Sequence, residues 1–352
     1  MNDYSLYIVF IYFVTACAAL FARFGSVKIG NLLAALIAVT AFGAAAFRPC
    51  HFPDVGTYEV MFYHASSGDF ANPEYWQSHG EPGFKILSYV LQLGGFSYNG
   101  FLIFMAILSY VLLIIISKIS KVPFSYLWFT YFSFFFVTRD LGVLRLAIAS
   151  HLVVLAFLQR KLLWQLIILA FASLSFQYYA MVAIAAPILS RFKPNILILI
   201  FLMVFTGVVG ISGYMNIDLI ASYAPDIKLI KGYLGSSYNE NRGISTALPI
   251  VRNLFFALLL YWLMRKEIKL KKFRIWIWSA FLSVLTYLFF NDILIAAQRF
   301  SAYFSVIFPL AFAYLLNKSN LSSFKFFLIY FSVVMNFILL FYYNNFVWLI
   351  FI

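Results

Sequence analysis

Long runs of hydrophobic residues, separated by short stretches that carry most of the charge, dominate this chain. A membrane-spanning helix needs about 20 mostly apolar residues, with about 17 as a practical lower limit. On this criterion spans are predicted near residues 4–22, 29–47, 98–117, 122–138, 141–158, 194–213, 248–264, 275–291, 293–316 and 326–343. The pattern predicts an all-α fold, a single polytopic membrane bundle over residues 1–352 with about 10–12 crossings.

The hydrophobic stretch 162–190 departs from this pattern, because it is too long for one span and Ser173, Ser175 and Gln177 interrupt it. Basic residues flank it at both ends, which indicates that it enters the membrane and returns. We expect two short helices that meet near Gln177. Such a broken element is tolerated in a membrane only where protein buries it or where it lines a wet cavity, so it marks a candidate site.

Composition and charge agree with a membrane protein. The chain has 64% hydrophobic and 11% charged residues, whereas soluble domains carry about 25% charge. Sixteen of the 25 Lys and Arg residues fall in loops on one side of the predicted spans, together with only one of the 12 acids, Glu267. This positive-inside distribution explains the net charge of +13 without nucleic acid as a partner. It predicts a working face outside the cytoplasm.

Two predicted external loops are long enough to carry function, residues 48–84 and 213–247. Loops of more than about 15 residues are usually functional or disordered. In the first loop, the sequence Glu81-Pro82-Gly83 indicates a turn that leads into a helix and holds the Glu81 carboxylate in a defined place. Asp54 lies near the other end of the same loop. Either carboxylate could act as a general base that deprotonates a hydroxyl group.

Five arginines lie in or beside spans near the outer face, against the positive-inside trend: Arg48, Arg139, Arg145, Arg252 and Arg299. A charge at the centre of a bilayer costs about 2.5–3.5 kcal/mol on insertion scales, so such residues normally face a cavity and have a partner. They could pair with acids and join helices, as Arg139 with Asp140 or Arg299 with Asp292. Alternatively they bind an anionic substrate, because guanidinium matches phosphate oxygens bidentately. The shortage of nearby acids favours the second explanation.

Several classes of chemistry are not indicated by the sequence. His51, His64 and His79 are spaced unlike any compact metal motif. A Gly-rich phosphate loop, a nucleophile elbow and a cysteine–histidine pair are also missing from the sequence. We therefore expect neither a metal nor another cofactor, and neither nucleotide hydrolysis nor covalent serine chemistry.

Four groups of residues form an ordered pattern along the chain: Arg48, Asp54, Tyr58 and Phe62 with Glu81-Pro82-Gly83-Phe84, then Arg145-Leu146-Ala147-Ile148-Ala149, then Phe176-Gln177-Tyr178-Tyr179-Ala180, and finally Arg299 with Tyr303-Phe304. This pattern resembles the EpsG-like branch of the Wzy-type polysaccharide polymerases. It departs from the family at Leu146, where glutamine is usual, and at Gln177, where many members have histidine. A role that needs an imidazole at position 177 is therefore not expected, whereas a hydrogen-bonding amide remains.

The resemblance implies a metal-independent glycosyltransferase of GT-C-like fold in the bacterial cytoplasmic membrane. It would polymerise polyprenyl-diphosphate-linked oligosaccharide repeat units at the external face, with a chain-length regulator and a flippase as partners besides membrane lipids. In that reaction the expected catalytic residues are Asp54, Glu81, Arg145 and Arg299. The expected substrate-binding residues are Arg48, Tyr58, Arg139, Gln177, Arg252 and Tyr303.

Two other functions use similar residues. An O-antigen ligase would transfer a finished glycan to the lipid A core, and the EpsG-like first loop disfavours it. A flippase for lipid-linked oligosaccharides would carry out no chemistry. It would need charge accessible from both faces and usually two similar halves, whereas the charge inside these spans is biased outward and no duplication is evident.

Overall fold

The computed structural model describes residues 3–48, 54–77, 80–212, 244–290 and 293–348, and this part of the chain is helical without strands. The all-α prediction is confirmed. Most of the second external loop, residues 213–243, lies outside the described residues. The chain divides into two compact units. Unit 1 comprises Met1–Leu158, Ala170–Tyr178 and Phe308–Ile352, and unit 2 comprises Gln159–Leu169 and Tyr179–Ile307.

The first part of the chain, to residue 158, contains eight α-helices, one 3₁₀ turn and one π-helix among its described residues. In chain order they are α1 (Asp3–Phe24), α2 (Val27–Ala46), α3 (Val55–His64), a 3₁₀ turn (Ala65–Ser67), α4 (Pro73–Gln77), α5 (Pro82–Leu93), α6 (Tyr98–Ser120), α7 (Phe124–Tyr131), the π-helix (Phe132–Asp140) and α8 (Leu144–Leu158).

The rest of the described chain continues as helices of very different length. They are α9 (Leu162–Ser175), a 3₁₀ helix (Tyr178–Ile184), α10 (Ala185–Leu189), α11 (Ile196–Ile211), α12 (Ile244–Met264), α13 (Lys271–Phe289), α14 (Leu294–Ser305), α15 (Ile307–Leu316) and α16 (Ser323–Trp348).

Six helical segments in the described chain are long and apolar enough to cross a membrane. These are Tyr4–Phe24, Val27–Ala46, Tyr98–Ser120, Ala247–Met264, Ala296–Leu316 and Ser323–Phe341. Four further apolar helices are shorter, among them Leu144–Leu158 and Ile196–Ile211. The chain is therefore a multi-pass membrane protein, as the hydropathy predicts.

Aromatic packing around α7 forms the centre of unit 1. All residues from Phe124 to Phe136 are buried, as expected for a helix that is apolar on every side. The indole N–H of Trp128 donates to the Thr15 hydroxyl of α1 at 3.1 Å. Its ring lies 5.4 Å from that of Phe42 of α2. α1 and α2 are thereby packed on α7, which continues into the π-helix.

The segment that sequence analysis treats as the first external loop contains helices. Val55, Tyr58, Met61 and Phe62 are buried on one side of α3, at positions i, i+3, i+6 and i+7, as in an amphipathic helix. The Tyr98 hydroxyl at the start of α6 donates to the Val55 carbonyl at 2.8 Å. The described part of this segment, residues 54–77 and 80–84, is therefore a structured element packed on the bundle rather than a solvated loop.

The helix is interrupted near Gln177, at the position where the sequence predicts a break. α9 ends at Ser175, and the N–H groups of Phe176 and Gln177 both donate to the Ala172 carbonyl, at 3.0 and 3.1 Å. The segment that follows begins as a 3₁₀ helix rather than the expected short α-helix.

Gly83 of α5 packs directly on the end of α9. A Cβ atom at Gly83 would lie 2.5 Å from Ser175 Cα and 2.6 Å from Ser175 Oγ. Real Cβ atoms do not approach backbone so closely, so only glycine allows this contact. The contact fixes the position of the turn at Glu81 relative to the broken element.

We predict that Gly83→Ala destabilises the protein by about 1–3 kcal/mol, because the added methyl group forces two backbone segments apart. The measurement is the midpoint of SDS unfolding in mixed micelles, followed by tryptophan fluorescence. Gly43→Ala in α2 is the matched control, because a Cβ there would meet nothing within 4 Å. Equal midpoints for the two variants would contradict the close contact.

Candidate functional site

An ion pair between Arg145 and Glu81 is the centre of the candidate site in unit 1. Arg145 Nη1 lies 2.5 Å from Glu81 Oε2, although the two residues are 64 positions apart. Arg145 is the second residue of α8, and Glu81 immediately precedes α5. Both side chains are buried. The pairing joins the segment that contains α3–α5 to the N-terminal end of α8.

The local sequence explains why the Glu81 side chain can reach Arg145. Glu81 has an extended backbone (φ −72°, ψ 148°), and Pro82 starts α5 with a fixed φ angle. The Glu81 side chain makes no capping hydrogen bond to its own helix. Gly83 allows the turn to sit against Ser175. The carboxylate is therefore free to turn away from α5 and toward the guanidinium.

Two aromatic rings form a wall beside the ion pair. The Arg145 guanidinium carbon lies 5.6 Å from the ring centroids of both Tyr58 and Phe84, which is within the range of cation–π attraction. Burial raises the pKa of the Tyr58 hydroxyl, an effect that the nearby Arg145 charge opposes. Tyr58 therefore stays a neutral hydroxyl that can donate a hydrogen bond.

Several buried donors at this site have no hydrogen-bond partner among the described residues. They are the Tyr58 hydroxyl, Nε of Arg145, and Nε and Nη2 of Arg48. Tyr58 lies within electrostatic range of both arginines. Unsatisfied buried donors cost free energy, so these groups around Tyr58 are candidates for binding an acceptor-rich ligand.

Arg48 follows the end of α2, and the backbone at the C-terminal end of the π-helix holds its side chain. Its Nη1 donates to the carbonyls of Asp140 at 2.9 Å and Leu141 at 3.2 Å. The carbonyls position the guanidinium while leaving its positive charge uncancelled by that contact. The Asp140 carboxylate lies within electrostatic range of the same guanidinium.

Asp140 connects Arg48 to two other helices, because its backbone carbonyl holds Arg48 and its carboxylate is hydrogen-bonded to α6 and α7. Its carboxylate accepts hydrogen bonds from Ser109 of α6, at 2.5 Å, and from the Tyr131 hydroxyl of α7. Ser109 is near the middle of the 23-residue helix α6, so the carboxylate is deep in the bundle. Sequence analysis considers Asp140 only as a partner for Arg139. The residues Ser109 and Tyr131 give no signal in the sequence, because both occur inside apolar runs.

Arg139 and His151 extend the polar cluster. Arg139 donates to the Ser150 hydroxyl of α8 and lies over the Phe135 ring, 3.6 Å from its centroid. His151 donates from Nδ1 to the Ala147 carbonyl at 2.6 Å, and its Nε2 has no partner among the described residues. His151 was missed by the sequence reasoning. A lone histidine in an apolar helix is the signal that could have identified it.

Asp54 and Gln177 lie at the edges of this group. Asp54 is exposed and has a left-handed backbone (φ 60°) at the start of α3, where its carbonyl accepts the Tyr58 N–H at 2.8 Å. Gln177 is buried two residues beyond Ser175, against which Gly83 packs. Unit 1 therefore contains seven of the predicted site residues: Arg48, Asp54, Tyr58, Glu81, Arg139, Arg145 and Gln177.

The other predicted site residues belong to unit 2. Arg252 of α12 donates to the Asn253 amide oxygen at 3.1 Å, and Asn253 donates to the Ser301 hydroxyl of α14 at 3.2 Å. Arg299 lies over the Tyr179 ring, 5.4 Å from its centroid. Tyr303 is fully buried one turn further along α14. Asp292, the suggested partner of Arg299, lies outside the described residues.

Within the described ranges, no three His, Cys, Asp or Glu side chains lie close enough together to hold a metal ion. His51 and His79 are outside those ranges.

We predict that Tyr131→Phe destabilises the fold by about 1–3 kcal/mol, because the buried Asp140 carboxylate loses a hydrogen-bond donor. SDS unfolding in mixed micelles measures the effect. Tyr63→Phe serves as the control, since Tyr63 is 54% exposed and such surface changes usually stay within about 0.5 kcal/mol. An unchanged midpoint for Tyr131→Phe would show that the hydroxyl contributes nothing to holding Asp140.

Comparison with known proteins gives one positive finding. The family model described as the EpsG family matches residues 31–349, nearly the whole chain. No curated protein and no solved structure matches the chain significantly. The family match supports a role as a membrane polysaccharide polymerase or a related glycosyltransferase. The chain belongs to the EpsG family, a family of Wzy-like polymerases.

Proposed function

We propose that this protein polymerises polyprenyl-diphosphate-linked oligosaccharide repeat units at the external face of a bacterial cytoplasmic membrane. A hydroxyl of the acceptor repeat unit attacks the anomeric carbon of the donor glycan. The bond between that carbon and the phosphate oxygen breaks, and the lipid diphosphate leaves with the bonding electron pair. The hydroxyl proton passes to a base.

The observation that carries this proposal is the group of buried, unsatisfied donors in unit 1. Nε and Nη2 of Arg48, Nε of Arg145 and the Tyr58 hydroxyl each lack a hydrogen-bond partner among the described residues, and Tyr58 lies within electrostatic range of both arginines. A diphosphate supplies several acceptor oxygens and negative charge. Guanidinium groups bind such oxygens with short, charge-assisted hydrogen bonds. The ligand that best satisfies these donors is therefore a phosphate-bearing one.

The same residues suit the transition state of glycosyl transfer. Negative charge accumulates on the diphosphate as the bond to the sugar breaks. Positive groups that are already fixed in a buried site stabilise this charge without reorganising. Arg48 is fixed by the carbonyls of Asp140 and Leu141, and Arg145 by Glu81 and two aromatic rings. Arg139 and Gln177 support the site, and Asp54 or Glu81 accepts the proton.

The residues of unit 2 have a separate part in the proposal. Arg299 and Tyr303 share one helix, and Arg252 is anchored by Asn253. We assign Arg299 to the diphosphate as well, with Arg252 and Tyr303 as groups that bind substrate. A flippase would deliver the lipid-linked repeat unit before the transfer, and a chain-length regulator would act with the enzyme on the growing product.

Reconstitution tests the reaction directly. The purified protein in sealed proteoliposomes is given a diphosphate-linked oligosaccharide repeat unit, with lipid A core as acceptor in a parallel reaction, and product length is followed by gel and mass spectrometry. A ladder of whole repeats, with release of lipid diphosphate, supports the polymerase. Transfer of a finished glycan to lipid A core without elongation would indicate a ligase, and transbilayer movement of unchanged donor a flippase. Either of those results would overturn the proposal.

We predict that Arg145→Ala and Arg299→Ala abolish glycan elongation, each by a factor of at least about 10² to 10³, because each removes a fixed positive donor. Membrane insertion stays intact, as checked by the amount of folded protein recovered in detergent. Arg191→Ala is the matched control, because Arg191 is exposed in a predicted cytoplasmic loop. Normal elongation by both variants would exclude the assignment of these arginines to the diphosphate.

Topology can be tested independently of activity. In a background with Cys17→Ser and Cys50→Ser, we predict that Ser66→Cys reacts with a membrane-impermeant maleimide in intact cells. Lys266→Cys should react only after the membrane is permeabilised, since the basic loop between α12 and α13 is expected to face the cytoplasm. Both positions are exposed in the structure. The reverse pattern would place the candidate site on the wrong side of the membrane for this reaction.

A further inference from the structure

We propose that Glu81 is an internal competitor for the diphosphate site and that substrate binding releases it to act as the base. This inference rests on the proposed function. In the structure the Glu81 carboxylate contacts the Arg145 guanidinium at 2.5 Å. The incoming diphosphate takes over that guanidinium, and the displaced carboxylate becomes available to the acceptor hydroxyl. Binding of the leaving group and activation of the nucleophile are thereby coupled.

The contact between the two residues is suited to such an exchange. Glu81 reaches only Nη1 of Arg145, while Nε remains without a partner. The contact is therefore monodentate, whereas a phosphate can bind a guanidinium through two parallel hydrogen bonds. The diphosphate also gains the free donors of Tyr58 and Arg48, which Glu81 does not use. The ligand thus offers the site more acceptors than the carboxylate does.

The released carboxylate has a second favourable position. Glu81 stands at the N-terminal boundary of α5, a 12-residue helix, but makes no capping hydrogen bond to it. The first N–H groups of a helix lack partners within the helix and attract negative charge. A carboxylate that leaves Arg145 can accept hydrogen bonds from those groups by rotation of its own side chain. The two positions make Glu81 a two-state element, and the contact of Gly83 with Ser175 keeps its backbone fixed in both.

The chemistry balances in the released state. The acceptor oxygen forms a bond to the anomeric carbon, and the carbon–oxygen bond to the diphosphate breaks. The hydroxyl proton moves to the Glu81 carboxylate, which becomes neutral. The lipid diphosphate carries away the electron pair while Arg145 and Arg48 bind it. Loss of the product then lets Glu81 release its proton and return to Arg145.

The test compares binding and turnover in Glu81→Gln, with full-length protein in nanodiscs. The binding probe is sugar-free polyprenyl diphosphate, and turnover is elongation of the diphosphate-linked repeat unit. Without a competing carboxylate, the variant leaves a buried uncompensated charge on Arg145, so we expect it to bind the probe at least about tenfold more tightly. Loss of the base should slow elongation at saturating donor by about 10² to 10⁴.

A rise in probe affinity together with a fall in elongation rate distinguishes this role of Glu81 from a purely structural one. If Glu81 merely positioned Arg145, Glu81→Gln would weaken probe binding, and that result would overturn the exchange. Tighter binding with wild-type elongation would overturn the base role. Glu74→Gln is the matched control, because Glu74 is exposed in the same external segment; it should change neither quantity.

A third variant distinguishes failure of this inference from failure of the proposed function. Arg145→Ala should lose most affinity for polyprenyl diphosphate. If it binds the probe as well as the wild type, the anion site itself is wrong, and the proposed function fails at this residue. If Arg145→Ala loses binding while Glu81→Gln also binds more weakly, the anion site stands and only the exchange is overturned. Recovery of folded Glu81→Gln is checked by its elution as a monodisperse species.

Discussion

The need to hold guanidinium groups at fixed positions inside an apolar helix bundle governs the structure of unit 1. A buried charge that loses its partner is strongly destabilising, by about 3–5 kcal/mol. Each arginine is therefore placed by oxygen atoms from a distant part of the chain. Arg48 contacts backbone carbonyls 92 and 93 positions away, and Arg145 contacts a carboxylate 64 positions away. The helices must pack correctly before any of these groups is stable.

The two arginines are held in electrostatically different ways. Carbonyl oxygens bind Arg48 without cancelling its charge, whereas the Glu81 carboxylate neutralises Arg145. Arg48 has the Asp140 carboxylate within electrostatic range but makes no direct ion pair among the described residues, whereas Arg145 makes one. An arrangement of this kind limits the penalty of burying two like charges close together. It also keeps Arg145 from binding adventitious anions with the full strength of an unpaired cation.

The sequence predicts the helices better than it predicts the contacts among them. Hydropathy and length locate the spans and the break near Gln177, because both depend on local composition. The external segment is different: its buried residues Tyr58 and Phe62 follow a helical spacing, but its acidic residues suggest a solvated loop. The candidate residue types were also accessible from sequence, since arginines within apolar runs are conspicuous. Their roles in the reaction remain predictions.

The hydrogen-bond and ion-pair partners of these residues could not be derived from the sequence in the same way. Asp140 binds Ser109, 31 positions earlier, and this contact depends on how α6 packs beside the π-helix. Nothing in the local sequence of either residue indicates it. His151 was overlooked for a similar reason, because an isolated histidine in an apolar helix has no motif around it. Pairing of Glu81 with Arg145 likewise required the tertiary structure, although sequence reasoning had selected both residues separately.

The π-helix determines the directions in which the Arg139 and Asp140 side chains leave the helix. In this segment the N–H of Leu141 donates to the carbonyl of Phe136, five residues earlier, at 3.2 Å. Each such turn contains one residue more than an α-helical turn, in which successive residues are about 100° apart. The directions in which Arg139 and Asp140 point are consequently encoded by the number of residues in the segment as much as by their identity. A one-residue deletion there would preserve every side chain of the site and still turn its two charged groups away from Ser150 and Ser109.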